Sequence, residues 1–286
     1  MTKILLYFLL ALSFNANSQL NNESVYWKIE SPKSGNTSFL LGTMHLIDRD
    51  KLFLPKVVSK DLKKSDLVIL EVIEEVDNAM ALEMVLLKEG RMVDYVLPNQ
   101  LDSFYYYVQH EFGLDSAQFE NSMGRFSPMM FGELPAMKHA KGSEGMDALV
   151  EKFAKKKEIK LFGLESAELQ MKFFNQIPSL LFNEMIMEAI RDSMTTKERW
   201  LYTQELYLTQ NVKEMMGEES NTVDDFTDIL LTKRNLNWVV QLKNLLEEQD
   251  NFIAVGAAHL YGSIGLINLL RNEGYSCTPI KISLIK

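Results

Sequence analysis

Two of the four histidines occur in the same local sequence pattern, Gly-x-x-His, in which the histidine lies three residues after a glycine. His45 follows Gly42 in this way, and His259 follows Gly256. An apolar run precedes each glycine, and glycine lets the backbone turn sharply and approach its neighbours closely. Imidazoles at such strand ends can lie above the carboxyl edge of a sheet, where ligands bind in open α/β folds.

Two carboxylates have equivalent positions. Glu71 and Glu165 directly follow short apolar runs at 67–70 and 159–164. If the strands are parallel, both carboxylates and both imidazoles lie at one edge of a sheet, where ligands bind in open α/β folds. This combination suits a divalent ion such as zinc, manganese or cobalt. We therefore predict that His45 and His259 hold the ion, with Glu71 and Glu165 sharing the roles of third ligand and general base.

Each of these residues also has a purely structural interpretation. A single histidine three residues after a glycine is often a hydrogen-bonded turn residue, although the repeated Gly-x-x-His pattern favours a functional role. A glutamate at a strand end is favourable simply as the N-terminal charge of the next helix. This alternative is stronger for Glu165 than for Glu71, because Val72 and Ile73 continue the strand pattern after Glu71.

Arg234 and Asn235 interrupt the polar side of a long helical pattern just before Trp238. The structural interpretation is a solvated arginine with a neutral neighbour. The functional interpretation is a clamp for an anion or a carbonyl group, which would stabilise a developing oxyanion. We include both residues among the candidate catalytic groups.

The remaining polar candidates have structural explanations. His110 and His139 lie in helical patterns without a notable acid partner, so we predict that they are surface or packing residues. Asp147 precedes a helical pattern, and we predict that it is the N-cap. The motifs of serine hydrolases, zincins, phosphate loops and dinucleotide-binding proteins do not occur in the sequence.

The elements that would position these residues predict an α/β (α+β) fold with a central, mostly parallel sheet covered by helices. Short apolar or alternating runs predict strands at 25–30, 38–41, 67–70, 159–164, 252–255 and 275–282. Helical patterns fill most of the remaining chain and form a large insertion, at about 76–157 and 167–249. No long Pro-, Gly- or Ser-rich linker divides residues 19–286, so we predict one domain.

The first 18 residues have the pattern of a signal peptide. A short basic start at 1–3 precedes an apolar run at 4–14, and small residues at 16 and 18 precede the predicted cleavage site. The run is too short to span a bilayer. We therefore predict a protein that is exported to the periplasm or secreted, with an uncleaved N-terminal anchor as the alternative.

Composition limits the possible partners. The formal net charge of −9 at pH 7 argues against nucleic acid and against anionic lipid as partners. Once the signal peptide is removed, we expect no association with the membrane. The single cysteine, Cys277, cannot form an internal disulfide, and we predict that it is a small core residue.

The chain resembles the TraB/GumN group, which is related to the TIKI proteins. Each matching segment is modest by itself, but their order and spacing are together fairly specific. The segments lie at 26–30, 39–46, 66–71, 145–147, 162–170, 233–235 with Trp238, and 255–262. The segment at 74–141 matches least.

This resemblance implies a sheet-centred fold with paired Gly-x-x-His motifs and an essential glutamate. In TIKI proteins it implies metal-dependent cleavage of secreted proteins, and related TraB proteins are linked to suppression of peptide pheromones. We therefore expect a metal-dependent, peptidase-like hydrolase of an extracytoplasmic peptide or protein, using a manganese, cobalt or zinc ion. The alternative is a non-enzymatic protein that binds a peptide or a small ligand in the same cleft.

Overall fold

A computed structural model describes residues 24–73, 82, 85–140, 142–215 and 227–285. Its sheet has six strands. They are β1 (Tyr26–Glu30), β2 (Thr37–Thr43), β3 (Leu67–Leu70), β4 (Lys160–Gly163), β5 (Asn251–Gly256) and β6 (Ser276–Pro279). The predicted signal peptide, residues 1–18, lies outside the described residues.

The strand order is β4-β3-β5-β2-β1-β6. Strands β4, β3, β5 and β2 are mutually parallel, so their carboxyl ends meet at one edge of the sheet. Strand β1 forms a hairpin with β2 and is antiparallel to both of its neighbours, β2 and β6. The predicted α/β fold with a mostly parallel sheet is therefore confirmed.

Alternating side chains give the sheet two apolar faces. Leu41, Val68 and Phe252 belong to one hydrophobic cluster, whereas Leu40 and Ile253 belong to the cluster on the opposite face. A strand that is covered on both faces reads as a continuous apolar run, which is the pattern of β3 and β5. The edge strand β4 is only partly buried.

Helices cover the sheet and form the predicted insertion. Those before β4 are α1 (Lys56–Lys64), α2 (Leu101–Phe112), α3 (Ser116–Ser122), α4 (Pro128–His139) and α5 (Met146–Lys156). Those after β4 are α6 (Ala167–Phe174), α7 (Ser179–Arg191), α8 (Thr196–Leu208), α9 (Val212–Met215), α10 (Lys233–Glu248) and α11 (Leu266–Asn272). Among the described residues, no helix combines the length and apolar character needed to cross a membrane.

Part of the insertion has its own core. Phe104 of α2, Phe119 of α3 and Phe131 of α4 are in mutual aromatic contact and fully or almost fully buried. Ile186 and Met187 of α7 join the same cluster. This packing fixes α4, one face of which borders the cavity described below.

Several boundaries differ from the sequence predictions. Strand β3 ends at Leu70, so Glu71 begins a loop and Val72 and Ile73 do not extend the strand. The last strand is β6, which is shorter than the predicted run at 275–282. Within the helical pattern predicted at 167–249, a π-helical turn at Asp228–Thr232 leads into α10.

Candidate active site

Polar side chains follow all four parallel strands at their carboxyl edge. Glu71 directly follows β3, Glu165 lies two residues after β4, and His45 lies two residues after β2. His259 lies three residues after β5, in a short turn at Ala257–His259. Because β5 lies between β3 and β2, the loops that carry Glu71, His259 and His45 are neighbours.

Glu71 is anchored at both carboxylate oxygens. Its Oε1 accepts a hydrogen bond from the backbone N–H of Gly256 (2.7 Å), and its Oε2 accepts one from Nη2 of Arg234 (2.6 Å). Burial favours the neutral acid, but the positive charge of Arg234 and the nearby imidazoles of His259 and His45 outweigh it and lower the pKa of Glu71 to about 2. Glu71 is therefore a fixed anion at neutral pH.

Arg234 is the buried centre of the site, which excludes the alternative of a solvated arginine. Its side chain is only 4% exposed. Its Nε donates to both oxygens of Glu165 (2.9 and 3.2 Å), and its Nη1 donates to the carbonyl oxygen of Leu230 (3.2 Å). Its guanidinium carbon lies 4.8 Å from the ring centroid of Trp238, one turn further along α10.

Glu165 lies behind Arg234 and does not face the cavity. Its side chain is 1% exposed, and it is absent from the residues that line the cavity. Burial raises the pKa of Glu165, and the opposing attraction of Arg234 does not fully offset this effect. The geometry favours a role in holding the guanidinium in position over the predicted role in proton transfer.

Asn235 holds the ring of His259. The Nδ2 group of Asn235 donates to the backbone oxygens of His259 (3.3 Å) and Ile264 (2.8 Å), which directs its Oδ1 towards the imidazole. The Nδ1–H of His259 donates to this oxygen (2.7 Å). Asn235 is also absent from the cavity wall, so its position suits orientation of His259 and not an oxyanion clamp.

His259 is neutral in this environment. It is buried, its Nε2 lies 3.2 Å from Nη1 of Arg234, and its ring packs against that of Trp238 at a centroid distance of 4.3 Å. Burial and the charge of Arg234 lower the pKa of His259 to about 3, although the charge of Glu71 opposes them. The Nε2 atom therefore accepts the hydrogen bond from Arg234.

His45 is paired with Asp147, a residue whose role the sequence prediction missed. The two side chains contact through Nδ1 and Oδ2 (3.1 Å). The predicted N-cap role of Asp147 is wrong, because Gly145 occupies the N-cap and Asp147 lies in the first turn of α5. Desolvation lowers the pKa of His45, but Asp147 outweighs it and raises the pKa to about 9, although half of the side-chain surface is exposed (51%).

A cavity of about 600 Å³ connects these groups. His45, Glu71, Arg234 and His259 line it together with Asp147.

The rest of the cavity wall is mainly apolar. Helix α4 contributes Met130, Glu133 and Met137, which share one face because they are spaced by about one helical turn. Glu151 of α5 also lines the cavity and forms an ion pair with Lys155 (2.9 Å). Glu133 and Glu151 could not be predicted as cavity residues, because their helical spacing in the sequence resembles that of ordinary surface residues.

The sequence model of the TraB/PrgY/gumN family matches residues 25–279. The chain belongs to this family. The family match extends from the residue before β1 to the last residue of β6, so it includes the whole sheet and every residue of the candidate site. The "Uncharacterized protein YbaP" of Escherichia coli (strain K12) is similar to this chain, with 26% identity over 263 residues. The alignment covers 87% of this chain and 94% of that protein.

The divalent ion that we predict for this member of the TraB/PrgY/gumN family does not fit the site in its present arrangement. Among the described residues, no group of three or more His, Cys, Asp or Glu side chains is arranged to hold an ion. Nε2 of His259 and Oε1 of Glu71 lie 3.9 Å apart, but Arg234 is hydrogen-bonded to both residues. The third predicted ligand, His45, is held by Asp147 through Nδ1, which leaves its Nε2 available, so the obstacle to an ion is Arg234. The predicted metal site stays a prediction.

His110, His139 and Cys277 lie outside the cavity wall. His110 is exposed and stacks on Tyr106, and His139 lies 3.3 Å from Glu111. Cys277 is buried in β6, as predicted, and burial raises the pKa of its thiol to about 11. We therefore interpret His110, His139 and Cys277 as structural residues.

Proposed function

We propose that this protein is a hydrolase that acts on an extracytoplasmic peptide or protein. The observation that carries the proposal is the convergence of His45, Glu71, Arg234 and His259 on one cavity of about 600 Å³. Cavities of this size bind small molecules or short segments of a chain, and their few polar groups determine how the ligand is oriented. The extracytoplasmic location follows from the predicted signal peptide.

His45 is the proton donor in this proposal. Because its pKa is raised to about 9, the imidazole carries a proton at neutral pH. Asp147 fixes the orientation of the ring through Nδ1, so the opposite nitrogen is available for proton transfer. When the C–N bond of the peptide breaks, the protonated imidazole donates to the leaving amine, and the proton released by the attacking water then returns to the imidazole.

Glu71 orients the attacking water in this proposal. A carboxylate with a pKa of about 2 is a weak base, but it is anionic throughout the neutral range and accepts hydrogen bonds strongly. Arg234 keeps Glu71 in place, while Glu165 and Asn235 hold Arg234 and His259 from behind. None of these steps uses the predicted divalent ion, because Arg234 already occupies the lone pair of His259 Nε2.

The experiment that tests the proposal is a cleavage assay on the purified chain. Peptide mixtures and unfolded proteins are incubated with the wild type, with and without added Mn²⁺, Co²⁺ or Zn²⁺, and the products are identified by mass spectrometry. We expect His45→Ala and Glu71→Gln to lose most of the activity. His110→Ala is the matched control, because this exposed histidine lies outside the cavity. Full activity in His45→Ala would exclude the proposal.

A second candidate function is non-enzymatic binding of a peptide in the same cavity. The observation that favours it is the apolar wall with Met130 and Met137, since methionine side chains adapt to ligands of varied shape. Calorimetry with the same peptides separates the two functions. A binding protein releases heat on association and leaves the peptide intact, whereas a hydrolase produces fragments with new termini.

A further inference from the structure

His259 has one nitrogen that could ligate a cation. Its Nδ1 carries the hydrogen, because it lies 2.7 Å from Oδ1 of Asn235, which can only accept. The orientation of that amide is fixed, since its Nδ2 faces two backbone oxygens. Any ion that binds His259 must therefore bind at Nε2.

Arg234 already occupies this position. Its Nη1 lies 3.2 Å from Nε2 of His259, and its Nη2 lies 2.6 Å from Oε2 of Glu71. The other oxygen of Glu71 accepts the backbone N–H of Gly256 (2.7 Å). The guanidinium thus contacts both groups that would have to coordinate an ion, and it remains positively charged at any accessible pH.

The guanidinium is also held from behind. Glu165 accepts two hydrogen bonds from its Nε, Leu230 accepts one from Nη1, and Trp238 stacks against it. A divalent ion bound to His259 and Glu71 would lie a few ångströms from this fixed positive charge, and like charges repel each other strongly inside a protein. Coordination at Nε2 therefore requires the Arg234 side chain to leave.

We infer that Arg234 and a divalent ion compete for the edge formed by His259 and Glu71, and that the guanidinium is the resident cation of this site. The inference concerns the site of the proposed hydrolase, but its test measures ion binding and not hydrolysis. A protein that cleaves no peptide can still show the competition, and an active hydrolase can fail to show it.

The test is calorimetric titration of the metal-free protein with Mn²⁺, Co²⁺ and Zn²⁺ separately. Arg234→Gln alone leaves Glu165 buried without its partner, so the double variant Arg234→Gln/Glu165→Gln is titrated as well. We expect the variants without the guanidinium to bind the preferred ion at least about tenfold more tightly than the wild type. Adding His259→Ala to the double variant should abolish this gain.

Two variants serve as matched controls. Glu165→Gln removes a negative charge and keeps the guanidinium, so its affinity for the ion should not rise. Arg234→Lys keeps a positive charge at the same position and should gain less than Arg234→Gln. Two results overturn the inference, namely wild-type affinity that equals or exceeds that of the folded double variant, or a gain that persists after His259→Ala.

Discussion

Arg234 shows how a few buried charges depend on one another. Its guanidinium lowers the pKa of Glu71 and of His259, whereas burial still raises the pKa of Glu165. The pKa values of Glu71, His259 and Glu165 therefore shift in different ways, because each combines the charge of Arg234 with the effect of its own burial. Removing one partner of such a buried pair costs about 3–5 kcal/mol, because the other charge is left without compensation.

The low pKa of Glu71 predicts a specific acid sensitivity. The attraction between Glu71 and Arg234 is fully present above the ordinary pKa of 4.5 and is lost as the pH falls to about 2. Because glutamine mimics the protonated acid, wild type should exceed Glu71→Gln in unfolding free energy by on the order of 3 kcal/mol near neutral pH. The difference should shrink towards pH 2.

Urea unfolding of both proteins across this pH range measures the effect of Glu71. Glu168→Gln is the control, since Glu168 is exposed on α6 and its substitution should change stability little. If the difference in unfolding free energy between wild type and Glu71→Gln did not change with pH, it would contradict the assignment of Glu71 as an anion stabilised by Arg234.

Asp147 should control the protonation of His45. The pKa of His45 is raised from 6.5 to about 9, so its attraction to Asp147 is fully present below pH 6.5 and is lost as the pH rises through about 9. We expect Asp147→Asn to lower the pKa of His45 by about one unit or more. NMR titration of the imidazole measures this change. Glu144→Gln is the control, because Glu144 lies just before α5 and is paired with Lys152, so its substitution should leave the pKa of His45 nearly unchanged.

At the scale of elements, the sequence predicts the strands well because buried parallel strands leave a simple pattern. The apolar runs of β3 and β5 and the Gly-x-x-His patterns at His45 and His259 are local features that need no knowledge of the fold. They correctly predicted that four strand ends share one edge.

The sequence could not predict contacts that depend on packing between distant elements. The pairing of His45 with Asp147 joins residues 102 positions apart, and the bond from Arg234 to Glu71 joins residues 163 positions apart. The π-helical turn before α10 was also missed, because it is a brief departure from the periodicity used to predict helices.

Helix α8 fixes the end of β2, and hence the loop that carries His45. The hydroxyl of Tyr207, which is fully buried, donates to the carbonyl oxygen of Gly42 (2.9 Å). Gly42 itself lies against the turn that carries His259, since an added Cβ would lie 3.1 Å from Cα of Ala257. Both histidine loops are thus held at the same point of the fold.

Tyr207→Phe should therefore destabilise the protein by about 1 kcal/mol, because it removes one buried hydrogen bond and keeps the ring. Tyr106→Phe is the matched control, since Tyr106 is 64% exposed and its substitution should change stability by less than about 0.5 kcal/mol. Urea denaturation of the two variants provides the comparison. Equal stabilities of both variants and the wild type would show that α8 does not hold β2 through this bond.

At the scale of the whole molecule, the two ends of the family match lie side by side. Strand β1, near the start of the match, pairs with β6 at its end, so the sheet is complete only when both are present. The predicted cleavage site after residue 18 lies ahead of β1, which begins at Tyr26. Removal of residues 1–18 would therefore leave every strand of the sheet intact.

Export of the protein can be tested on the full chain in a bacterial host. We expect the exported form to begin at Gln19, as measured by mass spectrometry of the intact protein. Replacing Leu9 and Leu10 with arginine should keep the chain in the cytoplasm at full length, because each arginine in an apolar segment costs about 2.5–3.5 kcal/mol. Replacing the same residues with valine preserves the apolar run and should leave export unchanged. A full-length wild type in the membrane fraction would instead support an uncleaved anchor, and a full-length wild type in the cytoplasm would contradict export.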